Sequence, residues 1–188
     1  HQYDPDELLS ETTMGGIVRG NLGGQVGFYV DARNSITRGS DVDDESFDLS
    51  EGSPVVTSGP NVIRDRAVAY FVFEKPWTRL EFGRNEIDWG PSYRGGVSIS
   101  RNMPPADMIR FSSRFNNWKF TSSHAFLSSS LGSKYLAAHR IDWMVKPGLY
   151  IGAAESVVYG GRDVEFSYLN PLMPYHVAEH HLGDKDNN

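Results

Sequence analysis

Cysteine is absent from this 188-residue chain. A disulfide framework, a thiolate metal centre and a cysteine nucleophile are therefore excluded. Basic charge is also scarce: 18 Lys and Arg stand against 24 Asp and Glu, leaving a net charge of −6. No basic block occurs anywhere, and nucleic-acid binding requires a clustered cationic footprint, so nucleic acid is not an expected partner. No run of about 18 apolar residues exists, which excludes a transmembrane helix. The opening His1-Gln2-Tyr3-Asp4-Pro5 carries neither a basic nor an apolar leader region. A signal peptide is accordingly expected to be absent or already removed.

What the chain does have is aromatic and β-like. Apolar residues make up only 39%, yet aromatics reach 12% and there are 19 glycines. That balance fits a β-protein with one polar face per strand better than an α/β enzyme. The length suits one domain with a sizeable core.

Residues 1–13 form an acidic segment holding the one expected short helix, Asp6–Glu11. From Met14 onward the pattern has period two. Val26, Phe28, Val30 and Ala32 oppose Gln25, Tyr29, Asp31 and Arg33, which is a two-faced strand. Gly23-Gly24 reads as a tight turn between Ile17–Leu22 and Gln25–Arg33. Residues 34–65 hold Asp41, Asp43, Asp44, Glu45, Asp48 and Glu51 and read as a long acidic loop, with a cation site there as the lesser alternative. Alternation resumes in Arg66–Glu74, Trp77–Arg84, Met108–Phe115, Trp118–Leu127, Lys134–Val145 and Leu149–Tyr159. Lys75-Pro76, Asn116-Asn117 and Pro147-Gly148 are the turns between them. A last strand is expected at Asp163–Leu169, for about nine strands in antiparallel succession.

Alternation alone fits a soluble β-sandwich, apolar face inward, or a membrane barrel, apolar face toward lipid. Three features favour the barrel. Tyr70, Trp77, Trp118, Tyr135, Trp143, Tyr150 and Tyr159 sit near strand ends, where interfacial girdles lie. Ala67, Ala69 and Ala137 fill a core poorly but sit well against lipid. Mixed charges on the polar faces, as at Arg140 and Asp142, suit a lumen braced by ion pairs.

The stretch Gly83-Arg84-Asn85, Trp89-Gly90-Pro91, Gly95, Ser98 and Ser100 resembles the GRQ…WGPG…G…LS pattern of the capsule-assembly protein Wzi family. The family includes outer-membrane relatives from gliding Bacteroidetes. Segments 15–33, 138–161 and 168–188 are similar to it as well, so the resemblance covers most of the chain. Asn85 departs from the family's Gln. The resemblance implies an all-β, antiparallel transmembrane β-barrel in the bacterial outer membrane, of which this chain is an incomplete portion. It further implies a non-enzymatic role in attaching or organising surface or capsular polysaccharide. The partners it implies are outer-membrane lipid, surface polysaccharide and other envelope proteins, with no cofactor.

Several residues invite chemistry. Arg84, Asp88, Trp89, Tyr93 and Arg94 combine aromatic faces with polar groups that suit glycan binding; the alternative is that Arg84 and Asp88 brace a lumen while Trp89-Gly90-Pro91 shapes a turn. Arg140, Asp142 and Glu155 carry the same two readings. His176-Val177-Ala178-Glu179-His180 matches an inverted zinc-protease motif, but prolines crowd it upstream and no later helix offers a third ligand. Asp184, Asp186 and Asn188 imitate the start of a calcium loop. Asp88 with Glu86 or Glu81 would be a glycosidase pair only at the right separation. None of these displaces the expectation of no resident metal and no catalysis. The alternatives remain a soluble carbohydrate-binding β-sandwich and, behind it, an envelope hydrolase.

Overall fold

A computed structural model describes residues 10–39, 53–58, 61–87, 89, 99, 103–127 and 132–177, with the backbone alone for 53–58. The described elements are β1 (Ser10–Leu22), β2 (Val26–Arg38), β3 (Ser53–Ser58), β4 (Asn61–Lys75), β5 (Thr78–Asn85), β6 (Ala106–Phe115), β7 (Trp118–Leu127), β8 (Lys134–Lys146), β9 (Leu149–Gly160) and α1 (Phe166–Leu169). The strands form one sheet in the order β1-β2-β4-β5-β6-β7-β8-β9, with β3 paired to β4 off this path. The registered pairs are antiparallel. An all-β class is what period-two alternation calls for. Among the described residues β1 and β9 are not paired with each other, so each is an edge.

Three sequence expectations are corrected. Within the loop expected over 34–65 nearly all the described residues are strand: β2 runs on to Arg38, β3 spans Ser53–Ser58 and β4 begins at Asn61. The face that closes in there is polar, with Ser35, Thr37 and Arg64 all buried. A strand whose inner side is polar shows no apolar period. Residues 41–51 lie outside the described set. The strand expected at Asp163–Leu169 is instead a four-residue helix within a turned segment, which buries Tyr168 against β8 and β9. Of the expected helix Asp6–Glu11, Ser10 and Glu11 open β1 and the rest lies outside the described residues.

The chain divides into two compact units. The first comprises His1–Gly20, Phe28–Tyr70 and Arg84–Pro105. In it Asp31, Ser35, Thr37, Val62, Arg64 and Val68 are buried while Val30, Ala67 and Ala69 are exposed. Tyr29 and Tyr70 stack at 5.4 Å.

The second unit comprises Asn21–Gly27, Phe71–Gly83 and Ala106–Asn188. Among the described residues it holds the short hairpin turns Gly23–Gln25, Pro76-Trp77, Asn116-Asn117 and Pro147-Gly148. Gly23 and Gly24 have φ of 71° and 79°, a left-handed backbone that glycine adopts without strain. Hydrogen bonds run from one turn to the next: Glu74 N–H to Gln25 C=O, Arg114 N–H to Trp77 C=O and Met144 N–H to Asn117 C=O, each 2.8 Å. The turns therefore lie side by side along one rim.

Register sorts the faces of β6 to β9. One row across the four strands reads Phe115, Trp118, Trp143, Ile151. The neighbouring row on the other face reads Arg114, Lys119, Asp142, Gly152. The Trp118 and Trp143 rings stack at 5.2 Å and 7° beside the rim. Phe71, Phe82, Ile109, Phe115, Trp118, Ile141, Trp143 and Ile151 are all substantially exposed. Meanwhile Glu81 is buried, as are Thr121 and Ser123 on the Lys119 face, while His124 is buried on the Trp118 face. Several polar side chains are thus buried while many large apolar ones are exposed, although Val72, Met108, Leu136 and Tyr159 are buried as well.

Candidate functional site

The buried polar side chains form ion-pair ladders. In the first unit Asp31 accepts from Arg33 Nε at 2.9 Å and from Arg66 Nη1 at 3.2 Å. Arg66 also reaches Glu86. Arg64 donates to Glu11 at 2.9 Å and to Thr37 at 3.2 Å. In the second unit Glu81, only 2% exposed, accepts from Arg79 at 3.1 Å and from Arg110 at 3.3 Å. A carboxylate this deep needs such partners, because an unpaired buried charge is strongly unfavourable. Glu81 and Glu86 are thus each held by arginine rather than poised to exchange protons with a substrate.

Arg140 and Asp142 stay together, with Arg140 Nη2 2.6 Å from Asp142 Oδ1. Gly152 lies opposite Asp142, and a side chain there would strike Asp142 Oδ1 at 2.6 Å. Glycine leaves the room that the ion pair fills. Glu155, grouped with them from sequence, is on the other face, opposite His139. The cause is a bulge at Val145. Lys146 pairs with Leu149, but Met144 pairs with Tyr150, so the register slips by one. Without that slip Arg140 would face Glu155. The three residues therefore do not form one site.

Arg84 is exposed near the end of β5, while Trp89, in the loop that follows, is 7% exposed and bridges Ile99. The Trp89 ring thus offers no open face for stacking on a sugar. Asp88, Tyr93 and Arg94 lie outside the described residues.

Glu155 has a different use. Its carboxylate accepts the backbone N–H groups of Tyr175 and His176 at 3.1 and 3.0 Å and meets His139 Nε2 at 3.1 Å. It ties the segment after β9 onto β8 and β9. Around it sits an aromatic cluster that sequence reasoning missed: Tyr135, Tyr159, Tyr168 and Tyr175, all buried. His124 Nε2 lies 2.8 Å from the Tyr159 hydroxyl, and the Tyr168 ring packs 4.7 Å from that of Tyr159. The tyrosine spacing was visible, but nothing in it revealed that residues 161–177 fold back.

The Tyr175 hydroxyl is buried and has no hydrogen-bond partner among the described residues. Burial pushes its phenol well above the usual tyrosine range, and the Glu155 carboxylate and Tyr159 add to the push. The sign follows from the raised folded pKa: stability from the neutral phenol is complete below about pH 10 and is lost as pH rises past it. Tyr175→Phe removes a desolvated hydroxyl and is expected to stabilise the segment by about 1 kcal/mol. It should also abolish alkaline loosening, measured as protease cleavage within 161–177 between pH 8 and 11. Unchanged alkaline cleavage would assign that loosening to other groups.

Tyr175–Val177 begins a helical turn, whereas Glu179, His180, His181, Asp184, Asp186 and Asn188 lie outside the described residues. No group of three or more His, Asp or Glu suited to a metal occurs among the described residues. No protein-family model, curated protein or solved structure matches the chain.

Proposed function

We propose that the chain is a portion of an antiparallel transmembrane β-barrel of the bacterial outer membrane. Its exposed aromatic and aliphatic face would meet lipid outside the patch where the segment after β9 covers Tyr135, His139 and Glu155, and its opposite, ion-paired face would line the lumen. The observation that carries this reading is the inversion of polarity. Glu81 is 2% exposed while its neighbour Phe82 on the same strand is 63% exposed. A β-sandwich in water would do the opposite. Short turns along one rim, with Trp77, Trp118, Trp143 and Tyr150 beside them, match the short-turn end and aromatic girdle of such barrels. No described helix is long and apolar enough to cross a membrane, and this does not bear on spanning by strands. The open edges at β1 and β9 require further strands, because unpaired N–H and C=O groups are not tolerated in hydrocarbon.

The role that fits is non-enzymatic. The resemblance to the Wzi family supports attachment or organisation of surface or capsular polysaccharide, with outer-membrane lipid and other envelope proteins as partners. The ion-paired arginines and acids of the inner face support bracing over catalysis.

The test uses the full-length protein from its native membrane. It is expected to sediment with the outer membrane and to change gel mobility in SDS on boiling. A protein that is soluble without detergent and shows no heat-dependent mobility overturns the barrel and leaves the carbohydrate-binding sandwich.

A further inference from the structure

Two clefts open at the short-turn rim of the second unit. One of about 250 Å³ lies between the Pro76-Trp77 turn and β6. The other, about 440 Å³, is lined by the Asn116-Asn117 turn, Trp118, Met144 and Tyr150. Arg114 and Lys119 line both. Register sets these two cations directly opposite each other across β6 and β7. Like charges in that position repel.

Lys119 also has Asp142 directly opposite it on β8, whereas Arg114 faces Lys119 and the Trp77 turn. The acid lining the smaller cleft, Glu74, is held by Arg79 at 3.3 Å. The acid lining the larger one, Asp142, is held by Arg140 at 2.6 Å. Among the described residues neither Arg114 nor Lys119 has an ion-pair partner. In a chain of net charge −6, two facing cations with a single, already ion-paired acid beside them are unexpected. Both sit where a hairpin turn supplies side-chain amides as further donors.

We propose that Arg114 and Lys119 form a binding site for a phosphate group at the short-turn rim. The guanidinium presents a planar fork to two phosphate oxygens, and the ammonium adds a compact charge from the facing strand. A dianion bridging the two converts their repulsion into attraction. A phospholipid headgroup and free phosphate share this chemistry; the two cations stand on the face opposite Trp118 and Trp143, which in the barrel reading turns the site toward the lumen mouth and favours the free ion.

The experiment follows unfolding temperature of the full-length protein in a phosphate-free sugar detergent, titrated with sodium phosphate at constant ionic strength. The expected result is a saturable rise. Arg114→Gln or Lys119→Gln should each weaken apparent phosphate affinity by about tenfold. Arg114→Gln should also raise the unfolding temperature slightly in chloride alone, since repulsion by Lys119 is relieved; a structural role would lower it. Arg114→Lys should keep much of the response. In phospholipid discs, loss of the response to added phosphate assigns the site to headgroups, and its persistence assigns it to the free ion. No rise in detergent, an equal rise with chloride, or a response that survives the double substitution overturns the site. The titration reads equally in plain buffer, so its failure is separate from failure of the membrane reading.

Discussion

Phe82→Arg is expected to cost about 2–4 kcal/mol when the full-length protein is unfolded from a bilayer, the penalty for a cation near the middle of a strand that meets lipid as proposed above. Phe82 is 63% exposed, so in water the same change would fall within about 0.5 kcal/mol of zero. The two media thus give sharply different answers for one substitution. Urea unfolding in lipid vesicles, compared with the wild type, measures it. A loss well below 1 kcal/mol would mean that this face does not meet lipid. Substitution toward a smaller apolar residue, Phe82→Leu, should be tolerated, since lipid adapts where a core does not.

One residue earlier the expectation is reversed in kind. Glu81→Ala removes the carboxylate shared by Arg79 and Arg110. Breaking a buried pair costs about 3–5 kcal/mol, because the partner charge remains without compensation. The lower end applies: Arg110 is 21% exposed and Arg79 keeps Glu74. A loss of about 3 kcal/mol is therefore expected. Replacing Glu81 and Arg110 together by leucine should recover most of it, since no charge is then stranded. If the double substitution is as damaging as the single, the ladder serves something beyond mutual neutralisation, such as holding a water-filled lumen open. Unfolding in detergent, followed by tryptophan fluorescence, reads both variants.

Phe82 and Glu81 also show how much was legible in the sequence. Period-two alternation correctly separated Ala67, Phe71 and Phe73 from Arg66, Tyr70 and Glu74, and Ile109 and Phe111 from Arg110 and Ser112. Turn residues at Asn116-Asn117 and Pro147-Gly148 marked hairpins because their local backbone preferences are strong. The extension of β2 and β4 was hidden. Arg64 donates to Thr37 and Ser35 pairs with Thr13, long-range polar contacts that leave no local apolar period. Helix α1 was hidden for a related reason: Tyr168 is drawn onto β8 and β9 by burial, and four residues carry no periodicity of their own. The separation of Glu155 from Arg140 depends on one bulge, and neither composition nor alternation announces where an extra residue will sit. Of the residues expected to bind glycan, Trp89 proved buried, as its apolar ring would suggest once its loop bridges Ile99.

The bulge at Val145 has a consequence for chain length. In a two-faced strand, gaining or losing one residue turns every later side chain to the wrong side. At this position the strand already carries a surplus residue, and the pairs Met144–Tyr150 and Lys146–Leu149 close up without it. Deletion of Val145 leaves the parity of Lys134–Met144 intact, from the stacked Trp143 to the Arg140–Asp142 ion pair. This point of β8 is a slack joint in an otherwise indel-intolerant strand, where length can drift by one residue while inside and outside keep their places.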